Sequence, residues 1–507
     1  MYSMVMTAIV RGLESVCVQV EADVSDGMPV FEMVGFLSSE VKEARERVRT
    51  ALHSCGFKIP AKRITVNLSP AGVKKSGCGF DLPIAVAVLA ALGEIKADAL
   101  GNMLILGEIS LNGKIQPIRG ILPIVAKARE QGISRCVIPS ANFEEARLIS
   151  GVLLWAVEDL RELVSYLRGS AYSLRAPINI EETKSHLREP DFSEINGQNA
   201  VKRACEVAVS GMHNFLMIGP PGSGKTMLAR RIPGILPPMT EEERLEVSKI
   251  YSIAGMLPKG GGLISSRPFR TPHHTISPNG LSGGGSLPKP GEISLAHKGV
   301  LFLDELAEYK KSTLEILRQP MEEKQITLVR QSGAYSFPSD FMLVAAMNPC
   351  KCGYYPDRGK CRCKESEIAR YLGRVSRPLL DRIDICVEAP LIGYDELTGK
   401  GKNESSENIR SRVTAALKRQ RRRFSGSGIL YNSQIPSKDM ERYCRLHGNE
   451  SKYMKEIYQK MELSVRGYFK ILKTARTIAD LDDCSEIMER HLNEAVCYRM
   501  QDIKYWE

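Results

Sequence analysis

The 507-residue sequence has no apolar run long enough to cross a bilayer. The longest runs from Leu82 to Leu92, contains Pro83, and falls short of the roughly 20 residues that a spanning helix needs. No basic segment precedes an apolar stretch near the N-terminus, so no secretory signal and no membrane partner are expected. No internal repeat is present. There is no helix-turn-helix, no zinc finger of the nucleic-acid type and no clear base-reading element, so any DNA binding should depend weakly on sequence. A separate acidic region suited to carrying a metal is also absent. The cysteines number thirteen, an odd count in a chain of this size. That argues for a reducing cytoplasm over a disulfide framework. Length implies roughly three domains. The net charge of +11 permits an anionic partner without specifying one.

What is present begins with the octapeptide Gly219-Pro220-Pro221-Gly222-Ser223-Gly224-Lys225-Thr226. It matches the phosphate-binding loop pattern in full. An apolar run, Phe215–Ile218, precedes it and a helical pattern, Met227–Arg231, follows, which is the strand–loop–helix context the motif requires. Glycines let backbone N–H groups turn inward around a phosphate, and the helix N-terminus adds its dipole. Lys225 supplies a point charge for the outer phosphates and Thr226 a hydroxyl ligand for Mg²⁺. A second apolar run, Gly299–Leu303, ends in Asp304 and Glu305. It reads as a buried central strand with two carboxylates at its C-terminal end, where α/β sheets bind ligands. Asp304 is expected in the Mg²⁺ shell, and Glu305 is expected to orient and polarise the attacking water. Together the two motifs predict a chain that binds and hydrolyses ATP with Mg²⁺.

The rest of the chain divides around this core. Residues 1–168 carry strand patterns at Val16, Val18 and Val20 and at Arg63–Leu68, with helical stretches near Ser39–Ser54 and Asp81–Leu92. Residues 169–190 read as a linker, 191–392 as an α/β nucleotide-binding core with a parallel sheet, and 393–507 as a basic segment followed by a helical lid.

With these motifs in place, the sequence resembles the AAA+ ATPases, and more narrowly the magnesium-chelatase-like group that includes the ComM/YifB proteins. The resemblance covers nearly the whole chain. It rests on Pro268–Thr275, Pro288–His297, Ala346–Cys350, Leu379–Asp384 and Arg476–Leu481. It implies several roles. Asn348, at the end of an apolar strand, matches the first sensor, whose amide would bond the attacking water or the terminal phosphate; the alternative is a strand-end turn before Pro349. Arg382 matches the arginine finger, which stabilises the transferring phosphoryl group, usually across a subunit interface; the alternative is a surface ion pair with Asp381 or Asp384. Arg466 in Leu463–Gly467 matches the second sensor on the lid. A finger acting in trans implies a homo-oligomeric ring, commonly a hexamer in this family.

Cys350, Cys352, Cys361 and Cys363 form a CxC, eight residues, CxC pattern within 14 residues. Four thiolates converging at about 2.3 Å on Zn²⁺ would make a structural site; the alternative is four free or redox-active thiols on a loop. Lys351, Arg358, Lys360, Arg362 and Lys364 would offset the charge of such a site.

Residues 1–168 resemble the Lon-type serine protease domain, an α+β fold of the ribosomal S5 domain 2-like class. The markers are Leu106–Ile115 and Gly132–Pro139. Aligned by register, the catalytic serine position falls at Gly79 and the lysine position at Leu122, so the Ser/Lys dyad is missing. Ser76 and Lys127 lie nearby but would need a slipped register. Lys58, Lys62, Arg63, Lys74 and Lys75 are candidates for a basic surface or for an ordinary solvated face.

Between Lys400 and Leu430 there are nine Lys/Arg and two Glu, peaking at Lys418–Arg423. This is either a phosphate-binding cluster or a solvated helix end. In the Gly/Pro/His-rich insertion 258–297, Phe269, Arg270, His273 and His274 are candidate contacts to a threaded strand. The last two are also a candidate metal pair lacking a third ligand. The resemblance implies a cytoplasmic ring ATPase acting on single-stranded or branched DNA, by branch migration or unwinding of recombination intermediates, as in natural transformation. The alternative is a magnesium-chelatase-like motor that remodels a protein partner or assists metal insertion.

Overall fold

The computed structural model describes residues 1–170, 190–258, 262–331, 333–398 and 403–506, the side chains of 501–503 apart. Most of the expected linker therefore lies outside the described residues. So do 259–261 of the insertion and 399–402, which include Lys400, at the start of the basic segment.

Alternating apolar residues build a seven-stranded mixed sheet in the N-terminal part. Its order is Val30–Val34, Arg63–Ser69, Glu14–Ser25, Tyr2–Arg11, Met103–Ile105, Arg135–Pro139 and Leu153–Val157. Glu14–Ser25 pairs antiparallel with both of its neighbours, and the other pairings are parallel. The helix Ser39–Ser54 starts where the Ser38 side chain accepts from the Val41 N–H. It buries Val41, Ala44, Val48, Ala51 and Leu52, the stripe expected of a helix with one face on a core. The longest apolar run of the sequence becomes the helix Asp81–Ala91, in which only Ala90 is not buried. Such all-round hydrophobicity suits a helix enclosed by its own domain. Arg47 clamps the buried Asp81 carboxylate through two bonds of 2.8 and 2.9 Å.

The second sheet is fully parallel, in the order Phe269–Arg270, Val300–Leu303, Met342–Met347, Phe215–Ile218 and Ile385–Glu388. Every residue of the three middle strands is buried, which explains why the sequence shows continuous apolar runs there and no alternation. Part of the expected insertion is thus sheet: Phe269–Arg270 is its edge strand. An antiparallel hairpin, Gln325–Arg330 with Gly333–Pro338, leads into the strand Met342–Met347.

The two parts are docked. The Leu13 N–H donates to the Ser336 carbonyl at 3.2 Å, and the Gly120 N–H donates to the Ser252 carbonyl at 3.3 Å. Gly12 is required here: at φ +67 a Cβ would lie 2.4 Å from the Ser336 oxygen.

The C-terminal helices Ser406–Arg423, Gly448–Lys460, Val465–Leu481 and Glu489–Trp506 pack into one helical part. It is joined to the core through His213, whose Nε2 lies 2.8 Å from Thr477 Oγ1 and whose Nδ1 lies 3.7 Å from Asp384. Lys470 of the helix Val465–Leu481 also faces Asp384, at 3.8 Å. Burial pushes the Asp384 carboxyl up, but the His213 ring at 3.7 Å and the Lys470 charge outweigh it and hold the group well below the usual carboxylate range, and the Asn214 N–H donates to the same carboxylate at 3.0 Å. A carboxyl depressed on folding stabilises above its unfolded pKa, about 3.9 for Asp, and loses that contribution as pH falls toward its folded value. Asp384→Asn is therefore expected to lower unfolding free energy by roughly 3 kcal/mol at neutral pH. The gap to the parent should begin to narrow below about pH 4 and keep shrinking as pH falls toward the folded value. Denaturant titrations of both proteins across that range check it, and a gap independent of pH would contradict it.

Candidate functional site

Gly222 and Gly224 adopt φ of +78 and +82, the left-handed turns that wrap the loop 219–226. Gly219 lies against the backbone of Ala389, whose carbonyl oxygen would be 2.1 Å from a Cβ. The Gly219 N–H donates to the Met347 carbonyl at 3.2 Å. The loop is thus seated between the ends of two neighbouring strands at the carboxyl edge of the parallel sheet, as the rule for open α/β sheets requires.

Four expected residues converge there. Lys225 Nζ lies 2.8 Å from the Gly219 and Pro220 carbonyls, 3.3 Å from Ser223 Oγ and 3.2 Å from Asn348 Oδ1. Burial lowers the Lys225 pKa, opposed by the Asp304 charge. Thr226 Oγ1 donates to Asp304 Oδ2 at 2.6 Å. A hydroxyl and a carboxylate this close can share one hard cation, so the pair fits Mg²⁺. The adjacent Glu305 is more than half exposed and stands at φ +51. Its carboxylate reaches 3.2 Å to Nδ1 of His274. The His273 and His274 rings lie 4.1 Å apart, and His274 meets the Tyr309 ring edge-on.

The other two expected residues sit elsewhere. Arg382 donates to the Pro378 carbonyl and pairs with Glu322, a different partner from the adjacent aspartates considered from the sequence. Arg466 is exposed in the first turn of its helix and has no polar partner among the described residues.

Gln198 was not anticipated. It stands at φ +56 and donates through Nε2 to the Ser223 carbonyl at 3.1 Å and to the Pro390 carbonyl at 2.6 Å, pinning the loop backbone to the end of the edge strand. No sequence pattern marks it. The sequence points to His274 as a contact to a threaded strand or half of a metal pair, whereas the structure sets it against Glu305.

Several secondary expectations change. Phe269 stacks on Phe302 at 5.9 Å, and Arg270 makes a two-bond pair with Glu292 at 2.7 and 2.8 Å, so both are built into the core edge. In the basic run, Arg423 pairs with the buried Asp480, and Arg419 bonds the Asp480 carbonyl and Asp483, leaving Lys418, Arg421 and Arg422 exposed. In the N-terminal part, Lys75 is fully buried and donates to the Pro70 carbonyl, while Lys62 and Arg63 pair with Asp26 and Glu32. Leu122 is buried within a helix, Gly79 and Ser76 line a cavity between the two parts, and Lys127 pairs with Glu130 at 3.1 Å.

The four cysteines do come together. Cys350 Sγ lies 3.3 Å from Cys352 and 3.7 Å from Cys361, and Cys352 lies 3.5 Å from Cys361. All four sulfurs fall within 4.8 Å of one another. These separations are too long for a disulfide, about 2.05 Å, and close to the ~3.8 Å edge of a tetrahedron with ~2.3 Å zinc–sulfur bonds. The donor set therefore fits Zn²⁺. Among the described residues this is the one group of three or more metal-type ligands, so the His273–His274 pair has no third ligand there. No helix among the described residues is long and apolar enough to cross a membrane.

Three family descriptions match. "Magnesium chelatase, subunit ChlI" covers residues 191–397, "Subunit ChlI of Mg-chelatase" covers 20–142, and "Magnesium chelatase, subunit ChlI C-terminal" covers 403–499. The sequence is 40% identical over 492 residues to competence protein ComM of Haemophilus influenzae, spanning 96% of this chain and 95% of that one. It is 39% identical over 503 residues to the uncharacterized protein YifB of Salmonella typhimurium, spanning 99% and 97%. Over 147 residues it is 29% identical to Lon protease 2 of Bacillus subtilis, 29% of this chain and 26% of that one.

Proposed function

This chain belongs to the magnesium-chelatase-like family of AAA+ ATPases, among the ComM/YifB proteins, and from that premise we propose a ring-forming motor that couples ATP hydrolysis to remodelling of single-stranded or branched DNA. The family relation implies an ATPase. The observation that carries the chemistry is the convergence of Lys225, Thr226, Asp304 and Asn348 on one loop.

In this reading Lys225 leaves the loop carbonyls to meet the outer phosphates. Thr226 and Asp304 hold Mg²⁺, which when bound neutralises charge on the β- and γ-phosphates. Glu305 turns from His274 to orient the attacking water, and Asn348 bonds that water or the terminal phosphate. Arg382 and Arg466 act as finger and lid sensor. The division into a Lon-like domain at 1–168, a core at 191–392 and a lid at 393–507 belongs to the same proposal. So do the hexameric ring, the cytoplasmic setting and a structural zinc held by Cys350, Cys352, Cys361 and Cys363. Metal analysis of protein purified without chelators should give about one zinc per chain. No zinc, or zinc retained with all four cysteines changed to Ser, would sink that part.

DNA as the substrate is supported by the competence name of one relative and by the exposed Lys418, Arg421 and Arg422. Binding should then run through phosphates, with affinity falling steeply with salt and depending little on sequence. Changing these three residues to Gln should reduce the slope of log affinity against log salt by up to about 3. Arg419 and Arg423 are left in place because their pairs hold the lid. An unchanged slope would move the DNA contact to another surface. The absence of binding to single-stranded, duplex or branched DNA at low salt would favour a chelatase-type motor working on a protein partner.

A further inference from the structure

The four-cysteine centre touches the nucleotide site directly. Its first turn, closed by the Gly353 N–H on the Cys350 carbonyl at 3.0 Å, presses against Pro221 of the phosphate loop. Gly353 stands at φ +84, and a Cβ there would lie 2.3 Å from Cδ and 2.9 Å from Cγ of the Pro221 ring. The proline ring thus occupies the space a side chain would fill. The same segment reaches the loop a second way. Met347 accepts the Gly219 N–H and Asn348 accepts from Lys225, and two residues later the chain arrives at Cys350, which is fully buried. On its far side the centre meets the lid. The Tyr355 ring lies 6.1 Å from that of Tyr505, whose hydroxyl donates to Glu388 at 2.6 Å. Glu388 ends the strand paired with Phe215–Ile218. The metal-ligating segment is therefore wedged between the phosphate loop and the last helix.

We propose that metal occupancy of this centre sets the affinity for nucleotide: the metal fixes the Cys350–Gly353 turn, and the turn fixes Pro221 and Asn348. The proposal rests on the zinc reading above. A turn of four residues held by two sulfurs to one ion has one arrangement, whereas the same turn with free thiols has several. A loop that must be ordered by its ligand binds that ligand more weakly than one already in place. Zinc and nucleotide are then coupled, and the coupling is reciprocal: each raises the affinity of the protein for the other by the same factor.

The test measures zinc affinity of the full-length protein by competition with a chromophoric zinc chelator. It is run with and without a saturating non-hydrolysable ATP analogue, at constant Mg²⁺. The expected result is tighter zinc in the presence of the analogue, by a factor in the usual coupling range of about 5 to 150. Fluorescent-nucleotide titration of zinc-loaded and zinc-stripped protein should show the same factor, with far-UV circular dichroism confirming that the stripped protein keeps its helices. Pro221→Ala should retain about one zinc per chain and bring the factor toward one. Gly353→Ala should keep zinc and weaken nucleotide binding, because its Cβ displaces Pro221. A protein that carries no zinc defeats the zinc reading itself. A protein that carries zinc whose affinity is the same with and without nucleotide overturns the coupling and leaves the zinc reading standing.

Discussion

Lys225→Ala is expected to remove measurable nucleotide binding, whereas Glu305→Gln is expected to bind ATP and fail to turn it over. The difference follows from position. Lys225 sits inside the loop, within 2.8 Å of two of its carbonyls, and offers its charge to whatever the loop encloses. A hydrogen bond to a charged group is worth about 1.5–3 kcal/mol, and a lysine serving two phosphates stands to lose about 100-fold or more in affinity. Among the described residues the Glu305 side chain makes no hydrogen bond or ion pair with the loop; its carboxylate is held by His274. Its amide variant keeps the shape and loses the base. Equilibrium binding and steady-state phosphate release separate the two effects. Near-normal turnover by Glu305→Gln would remove that residue from its assigned role.

Arg382→Ala should keep ATP binding largely intact and lose about 10³-fold or more in turnover, the range known for arginine fingers. In the isolated chain the guanidinium is engaged by Glu322, whose carboxylate is mostly exposed. A neighbouring subunit would have to draw it away, so the pair is a resting place compatible with action in trans. Mixing Arg382→Ala with Lys225→Ala protomers should restore part of the activity, because a ring then contains some interfaces with both an intact loop and an intact finger. Rings that form and show no rescue at any ratio would place Arg382 within its own subunit's chemistry or in a purely structural pair.

The features legible in the sequence are those carried by contiguous residues. The loop 219–226, the buried runs ending at Asp304 and Asn348, the helices at 39–54 and 81–91, and the CxC pairs each depend on local spacing, and each is found where expected. The missed features are contacts between residues far apart in the chain. Gln198 to Ser223, His274 to Glu305 and His213 to Asp384 have no local signature. One correction was readable in advance. Ile409, Val413, Ala416, Leu417 and Gln420 form the buried face of the helix 406–423, and Arg423 continues that stripe at helical spacing. The 3.6-residue period sets Arg423 apart from the exposed Lys418, Arg421 and Arg422. Lys75 gives no such warning, since a buried lysine donating to a single carbonyl looks in sequence like any surface lysine.

The measurement that tests the account most directly is the ATPase rate of the assembled protein with and without four-way or forked DNA at low salt. A motor working on DNA should hydrolyse ATP faster when such DNA is present. The stimulation should fade as salt rises and should be lost in Glu305→Gln. A rate unchanged by single-stranded, forked and four-way DNA, in protein shown to bind ATP and to form rings, would contradict the account.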